Sequence, residues 1–247
     1  MFDHVGIRVS DRAASRRFYD TVLGPLGRAL TSSTDEFDEW GDWGIAPANA
    51  DRPVTRGFHV GFVARSHEEV DAFWRAGVDA GYTSDGEPGP RPEYTPEYYG
   101  AFLLDPDGNS AEAAYLERRN REEPYVDHLW IRVADLDASR RFYETIARVF
   151  RFTVAGSRLA ERFHVRGGDR SFSLVRGEAP TEHVHLALAA PDRETVREFH
   201  RVALEAGFRD NGPPGLRAYG PGYYGAFVLD PDGHNVEAVH HGDDAAD

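Results

Sequence analysis

The stretch Asp3-His-Val-Gly-Ile-Arg-Val-Ser-Asp11 occurs again, 124 residues later, as Asp127-His-Leu-Trp-Ile-Arg-Val-Ala-Asp135. Two further stretches repeat at nearly the same distance, since Ser15–Tyr19 returns as Ser139–Tyr143 and Tyr98–Gly108 as Tyr223–Gly233. Such a repeat indicates a duplication. We predict one domain at residues 1–118, a linker at 119–125, a second domain at 126–242 and an acidic tail at 243–247.

Each copy contains the same pattern twice. Val5, Ile7 and Val9 alternate with polar residues or glycine, as in a half-buried strand. An amphipathic helix is predicted from Ala13 to Leu26, followed by three short strands. The pattern restarts with a strand at 57–63, a helix at 66–81 and a hairpin around Asp105-Pro-Asp-Gly108. The sequence therefore predicts an α+β fold of four strand-helix-three-strand (βαβββ) modules.

Composition restricts the possible partners and location. The chain has 247 residues, no cysteine and a formal net charge of -14. That charge repels phosphate backbones, so we expect no nucleic-acid partner. No apolar run is long enough for a membrane span and the N-terminus has no signal-like segment, so a cytoplasmic location is the default expectation. A small molecule is the expected partner, and the chain is expected to be a monomer or a homodimer.

Three metal-ligand types recur in both copies. Because side chains two apart share a face of a strand, His4, His59 and Glu112 can all point away from the helices into a cleft. Copy two supplies His128, His185 and Glu237. A single strand His is more often a hydrogen-bonded polar residue than a ligand. Repetition of all three favours two sites of two His and one carboxylate. The sequence leaves open whether each copy closes its own cleft or whether modules exchange partners.

These residues also carry a family resemblance. Asp3-His-Val-Gly-Ile, Gly57-Phe-His-Val-Gly-Phe and Asp105-Pro-Asp-Gly-Asn-Ser-Ala-Glu112, with their counterparts in copy two, resemble the vicinal oxygen chelate superfamily of glyoxalase I, extradiol dioxygenases and bleomycin-resistance proteins. The resemblance implies two tandem open β-barrel domains with helices outside. It also implies one divalent metal ion (Fe²⁺, Mn²⁺, Ni²⁺ or Zn²⁺) at His4, His59 and Glu112, and another at His128, His185 and Glu237.

At two places this sequence differs from the residue patterns that distinguish the reactions of the family. Lyases of this superfamily usually carry a fourth ligand, but the matching stretches Trp43–Ala46 and Ser171–Leu174 hold no carboxylate. Extradiol enzymes place a tyrosine where this chain has Phe102 and Phe227. The resemblance therefore implies a metal-dependent lyase or non-haem dioxygenase that acts on a small oxygen-rich substrate chelated by vicinal oxygens. The alternative is a bleomycin-resistance-like protein that sequesters a small molecule without turnover.

Further residues are candidates for the site. Glu112 and Glu237 are candidate catalytic groups. One tyrosine of each Tyr-Tyr pair should face the cleft as a proton donor, and we assign Tyr99 and Tyr224. Candidate substrate-binding residues are Arg8 and Arg132, which share the face of the first-strand His, together with Trp130 and His183. Arg8 and Arg132 could equally be solvated strand-end residues, or could orient Glu112 and Glu237.

Overall fold

The computed structural model describes residues 1–117, 124–156, 162–167, 170–177 and 179–242. The predicted tail at 243–247 and most of the predicted linker lie outside these ranges. The α+β class and the four βαβββ modules are confirmed. The strands are β1 (Phe2–Val9), β2 (Ser32–Ser33), β3 (Asp38–Trp40), β4 (Trp43–Pro47), β5 (His59–Ala64), β6 (Ser84–Pro90), β7 (Tyr99–Leu104), β8 (Ser110–Tyr115), β9 (Val126–Val133), β10 (Thr153–Gly156), β11 (Arg162–Gly167), β12 (Arg170–Arg176), β13 (His185–Ala189), β14 (Arg209–Leu216), β15 (Tyr223–Leu229) and β16 (Asn235–His241).

In the part of the chain that the structure describes, four helices complete the modules, and an aspartate or serine side chain caps the N-terminus of each. They are α1 (Arg12–Leu23), α2 (His67–Asp79), α3 (Leu136–Phe150) and α4 (Arg193–Glu205). Asp11 caps α1 by accepting from the Ala14 amide, and Ser66 caps α2 by accepting from the Glu69 amide. The predicted helix at 13–26 ends earlier, at Leu23, and continues as a 3₁₀ turn at Gly24–Leu26. No helix within the described residues is long and apolar enough to cross a membrane.

The strands form two eight-stranded sheets, and their order decides which modules work together. One sheet has the order β14-β15-β16-β13-β1-β4-β3-β2, and the other has β10-β11-β12-β9-β5-β8-β7-β6. The first module therefore shares a sheet with the fourth, and the second with the third. The modules thus exchange partners between the two copies, which is one of the arrangements that the sequence left open.

Packing divides the chain into two compact units, one of residues 6–131 and one of residues 1–5 with 132–247. The division falls within β1 and β9. In the 6–131 unit, the Tyr19 ring lies 5.2 Å from Trp43, and Trp43 lies 5.5 Å from Phe62. In the other unit, Phe172 lies 4.9 Å from Tyr143. Each unit therefore has an aromatic core beneath its helices.

The last hairpin of each copy is built around a buried aspartate. Asp105 Oδ1 accepts hydrogen bonds from the amides of Asp107 and Asn109, and its other oxygen accepts from the Tyr19 hydroxyl. Gly108 closes the turn with a φ of 82°, a conformation that favours glycine. Asp230 and Gly233 repeat this arrangement in copy two. The predicted tight turn is confirmed, and it fixes the register that presents Glu112 and Glu237.

Candidate metal centres

Site A consists of His59 on β5, Glu112 on β8 and His128 on β9. Glu112 Oε2 lies 3.0 Å from His59 Nε2 and 3.2 Å from His128 Nε2, and the two Nε2 atoms are 3.3 Å apart. The Glu112 side chain is 1% exposed, whereas the two imidazoles are 17% and 18% exposed. Three ligand atoms therefore converge, with the carboxylate buried and the two imidazoles partly exposed.

The remaining polar atoms of these side chains are held by neighbours. His128 Nδ1 lies 3.0 Å from Asp127 Oδ2, and His59 Nδ1 lies 3.2 Å from Ser110 Oγ. The Tyr98 hydroxyl donates to Glu112 Oε1 over 2.7 Å. When Nδ1 donates its proton to these partners, the Nε2 lone pair points at the site. The surrounding hydrogen bonds thus select the atoms that a metal ion would use.

Site B repeats the arrangement with His4 on β1, His185 on β13 and Glu237 on β16. His185 Nε2 lies 3.0 Å from His4 Nε2 and 3.1 Å from Glu237 Oε2, but His4 Nε2 is 3.9 Å from that oxygen. The Tyr223 hydroxyl donates to Glu237 Oε1 over 2.8 Å. Each site lies within one compact unit.

The six predicted ligands are brought together, but not in the predicted groups. The groups are His59, Glu112 and His128, and His4, His185 and Glu237. The expectation that His4 joins His59 and Glu112, and that His128 joins His185 and Glu237, is wrong. β5 lies between β8 and β9, with Gly61 opposite both Glu112 and His128. The first-strand His of each site therefore comes from the other copy.

Two glycines make room for the ligands of site A. A Cβ on Gly61 would lie 2.2 Å from His128 Cε1, and one on Gly100 would lie 2.6 Å from Glu112 Oε1. Gly225 has the same relation to Glu237, again at 2.6 Å. Any larger residue would displace a ligand side chain. The prediction omitted these glycines, although the repeated Tyr-Tyr-Gly motif marks the pair at 100 and 225.

The charges of site A stabilise one another when no metal is present. Burial by itself raises the pKa of Glu112, but the hydrogen bonds and charges of His128 and His59 outweigh it and lower that pKa to about 2. Burial lowers the pKa of His128, yet its hydrogen bonds to Asp127 and Glu112 raise it to about 10 overall. Burial also raises the pKa of Tyr98 well above its usual value. Tyr98 therefore remains a hydrogen-bond donor to the carboxylate.

The donor set fits a divalent transition metal. Ligands bound at about 2.1 Å and separated by right or tetrahedral angles lie about 3.0–3.4 Å apart, and the three separations in site A fall within that range. Two imidazoles and one carboxylate suit Fe(II), Mn(II), Ni(II) or Zn(II). The fit supports a metal ion at these residues without choosing among those four.

Comparison with known proteins gives the family. The glyoxalase/bleomycin resistance protein/dioxygenase superfamily matches residues 1–113 and 125–238. The chain belongs to this superfamily. Glyoxalase I from Zea mays is 19% identical with a TM-score of 0.66, over 97% of this chain and 92% of that chain. A proposed dioxygenase from Bacillus subtilis subsp. subtilis str. 168 is 15% identical with a TM-score of 0.65, over 97% and 84%. These identities support the fold alone. No curated protein matches the sequence.

Tyr98 and Tyr223 contact the ligand carboxylates of this superfamily member, and the assignment to Tyr99 and Tyr224 is wrong. The Tyr99 hydroxyl donates to Asp71 on α2, and its ring stacks 4.1 Å from His67. The Tyr224 ring lies beneath Arg193 and Arg197. The reason is strand parity, because Tyr99 shares its face with the helix-side residues Ala101 and Leu103.

Trp130 is the predicted substrate-binding residue that the structure places at a site. Its ring lies 6.5 Å from that of His59, and the Tyr94 ring is 6.5 Å from it. The Phe102 ring is 5.9 Å from the His59 ring. Site A of this superfamily member is therefore bordered by aromatic side chains, which suits a flat organic ligand.

The other predicted substrate-binding residues are Arg8, Arg132 and His183. The Arg8 guanidinium donates to the Pro47 carbonyl, and the aliphatic part of Arg132 lies against Gly177. His183 precedes β13, which begins at His185, and its φ of 57° interrupts the extended backbone, so the side-chain alternation of β13 does not reach it. Gly57 occupies the equivalent position of the superfamily repeat with a φ of 66°. The substrate-binding roles of these three residues remain predictions.

Proposed function

We propose that the chain is a divalent-metal-dependent enzyme whose substrate is a small molecule with two adjacent oxygen atoms. The observation that carries the proposal is the convergence of two imidazole nitrogens and one carboxylate oxygen in each site, with the other polar atom of every site A ligand already held by a neighbour. Three protein ligands leave coordination positions for a bidentate substrate.

A bound metal ion would supply an electrophile and a template for adjacent oxygens. Residues of the protein would hold the ion, orient its ligands and exchange the proton. His59 and His128 present Nε2, Glu112 presents Oε2, and Tyr98 fixes the carboxylate by donating to Oε1. Because Tyr98 retains its proton, Glu112 is the group of site A that is placed to exchange a proton with the substrate. In site B, Glu237 and Tyr223 take these roles.

The missing fourth carboxylate bears on the type of reaction. On β4, Trp43 and Ile45 are buried, which leaves Gly44 and Ala46 for the opposite face. On β12, Phe172 and Leu174 are buried, and the opposite face carries Ser171 and Ser173. Neither described strand offers an acidic ligand. We therefore favour three-ligand chemistry, of dioxygenase or lyase type, over a four-ligand centre.

Metal analysis and a bidentate probe test the proposal. Chelator-treated protein is incubated separately with Fe(II), Mn(II), Ni(II) and Zn(II), and bound metal is measured after gel filtration. We expect binding that falls by one equivalent in Glu112→Gln and by one equivalent in Glu237→Gln. Acetohydroxamate, which offers two adjacent oxygens, should change the visible spectrum of the Co(II)-loaded protein, whereas acetamide should not. No bound metal would refute the proposal.

The aromatic border of site A supports a second candidate function. Trp130, Tyr94 and Phe102, in a chain of net charge -14, suit a flat cationic compound held without turnover. This function predicts binding that survives chelation and the Glu112→Gln substitution. The metal-dependent enzyme predicts the opposite on both counts, so the same two conditions separate the candidates.

A further inference from the structure

We infer that the two metal sites are not equivalent and that site A binds its ion more tightly, so that it fills before site B. The inference rests on the proposed metal-dependent function. Three differences between equivalent residues carry it. Each acts on the residues that position the ligands.

The first difference is the residue beneath the first-strand histidine. Gly61 lies opposite both Glu112 and His128, and a Cβ there would come within 2.2 Å of the His128 ring. The equivalent residue beside Glu237 is Ala187, which has that methyl group. Correspondingly, the His Nε2 to Glu Oε2 separation is 3.2 Å for His128 in site A but 3.9 Å for His4 in site B. The ligand set of site B is more open.

The second difference is the hydrogen-bond chain behind the β5 and β13 histidines. His59 Nδ1 contacts the Ser110 hydroxyl, which donates to Asp85 Oδ2 over 2.9 Å. This chain ends in a carboxylate, so it accepts the Nδ1 proton and leaves the Nε2 lone pair for the metal. The Asp85 carboxylate at the end of this hydrogen-bond chain also makes the His59 imidazole a stronger metal ligand.

In site B the equivalent chain consists of two amides. Asn235 Nδ2 lies 2.8 Å from His185 Nδ1, and Asn235 Oδ1 accepts from Asn211 over 2.8 Å. An amide N–H directed at Nδ1 leaves the imidazole proton on Nε2, the atom that a metal needs. For Nδ1 to donate its proton instead, the Asn235 side chain must turn so that its oxygen faces the ring. The Ser110 hydroxyl behind His59 needs no such rearrangement.

The third difference is the carboxylate behind the first-strand histidine. Asp127 contacts His128 Nδ1, and its side chain is 5% exposed. The equivalent Asp3 is 22% exposed and is shared, because its Oδ1 accepts from both His4 and His241. Leu116 occupies the position of His241 in copy one and has no polar side-chain atom. The carboxylate that supports His4 is therefore more solvated than the one that supports His128.

Titration of the metal-free full chain with Co(II), followed by calorimetry and visible absorption, tests the order of filling. We expect two phases whose dissociation constants differ by about 10- to 100-fold, the range typical of altered outer-shell hydrogen bonds. Glu112→Gln should remove the tight phase, and Glu237→Gln the weak one. Equal affinities, or loss of the tight phase in Glu237→Gln, would overturn the inference. No Co(II) binding at either site would instead overturn the proposed function.

Substitution of the residues that differ between the two sites tests the cause of the difference in metal affinity. Asp85→Asn, which copies Asn211, should weaken the tight phase roughly 10-fold and leave the weak phase unchanged. Glu87→Gln removes the same charge from β6 and should leave both phases unchanged. Ala187→Gly should strengthen the weak phase, whereas Gly61→Ala should weaken the tight one. Because site B is measured in the same molecule, general destabilisation would move both phases together. Unchanged phases in both Asp85→Asn and Ala187→Gly would contradict the inference.

Discussion

Of the adjacent tyrosines Tyr98 and Tyr99, substitution of Tyr98 alone should weaken the metal site. Tyr98 is 8% exposed, and its hydroxyl donates to Glu112 Oε1 over 2.7 Å. Tyr98→Phe leaves that oxygen of a buried carboxylate without this donor. Hydrogen bonds to charged groups contribute about 1.5–3 kcal/mol, so the free energy of unfolding of the metal-free protein should fall by about 2 kcal/mol.

The metal affinity should change as well. Without Tyr98 the Glu112 carboxylate is free to turn, so that Co(II) binding at site A should weaken roughly 10-fold. Tyr99→Phe is the matched control, because its hydroxyl bonds to Asp71 on α2 instead. It should cost less than about 1 kcal/mol and leave Co(II) binding unchanged. Urea unfolding and Co(II) calorimetry measure the two quantities. Equal loss of metal affinity in both variants, or none in Tyr98→Phe, would refute the assignment.

Three further predictions concern the same scaffold. Gly100→Ala should weaken metal binding at site A but not at site B, since its Cβ would lie 2.6 Å from Glu112 Oε1; Co(II) calorimetry measures this. Metal-free protein should lose at most about 3 kcal/mol of unfolding free energy between about pH 7 and 9.5. The pKa of His128 is raised from 6.5 to about 10, so its stabilisation is complete below pH 6.5 and is lost as the pH rises toward 10. In urea unfolding at a series of pH values, the unfolding free energy should depend less steeply on pH in His128→Asn. The chain has no lysine or cysteine whose titration would overlap this pH range. Asp105→Ala should destabilise by about 2–4 kcal/mol in thermal unfolding, because it removes the acceptor for two turn amides and Tyr19, whereas Asp51→Ala in an exposed loop should not.

Strand parity identifies from sequence all six residues that the structure gathers into the two candidate ligand sets. Val60 and Phe62 identify the buried face of β5, and the opposite face must then carry His59. The same rule, applied from Ala101 and Leu103, would have assigned Tyr98 rather than Tyr99 to the cleft. Tyr98, Gly100 and Phe102 share the face that meets Glu112, whereas Tyr99 bonds to Asp71 on α2. Parity also fails at His183, where the left-handed backbone conformation interrupts the alternation before β13 starts.

Module pairing was not predictable from local sequence. His4 and His128 both follow an aspartate, both stand in the first strand of a copy, and both precede the same amphipathic helix. Nothing in residues 57–63 distinguishes one partner strand from the other. The choice between them is made by which strand lies next to β5, a long-range contact that periodicity does not encode. The structure shows that this strand is β9.

Exchange of modules between copies explains how one chain can hold two different sites. Site A takes His59 and Glu112 from the first copy and His128 from the second, whereas site B takes His4 from the first copy and His185 with Glu237 from the second. Neither copy alone contains a complete set. In a symmetric dimer of single copies, both sites would be identical because the symmetry operation interchanges them. Fusion into one chain removes that constraint, so that Gly61 and Ala187, or Asp85 and Asn211, can differ. The inequivalence of the sites is therefore a possibility that only the duplicated chain provides.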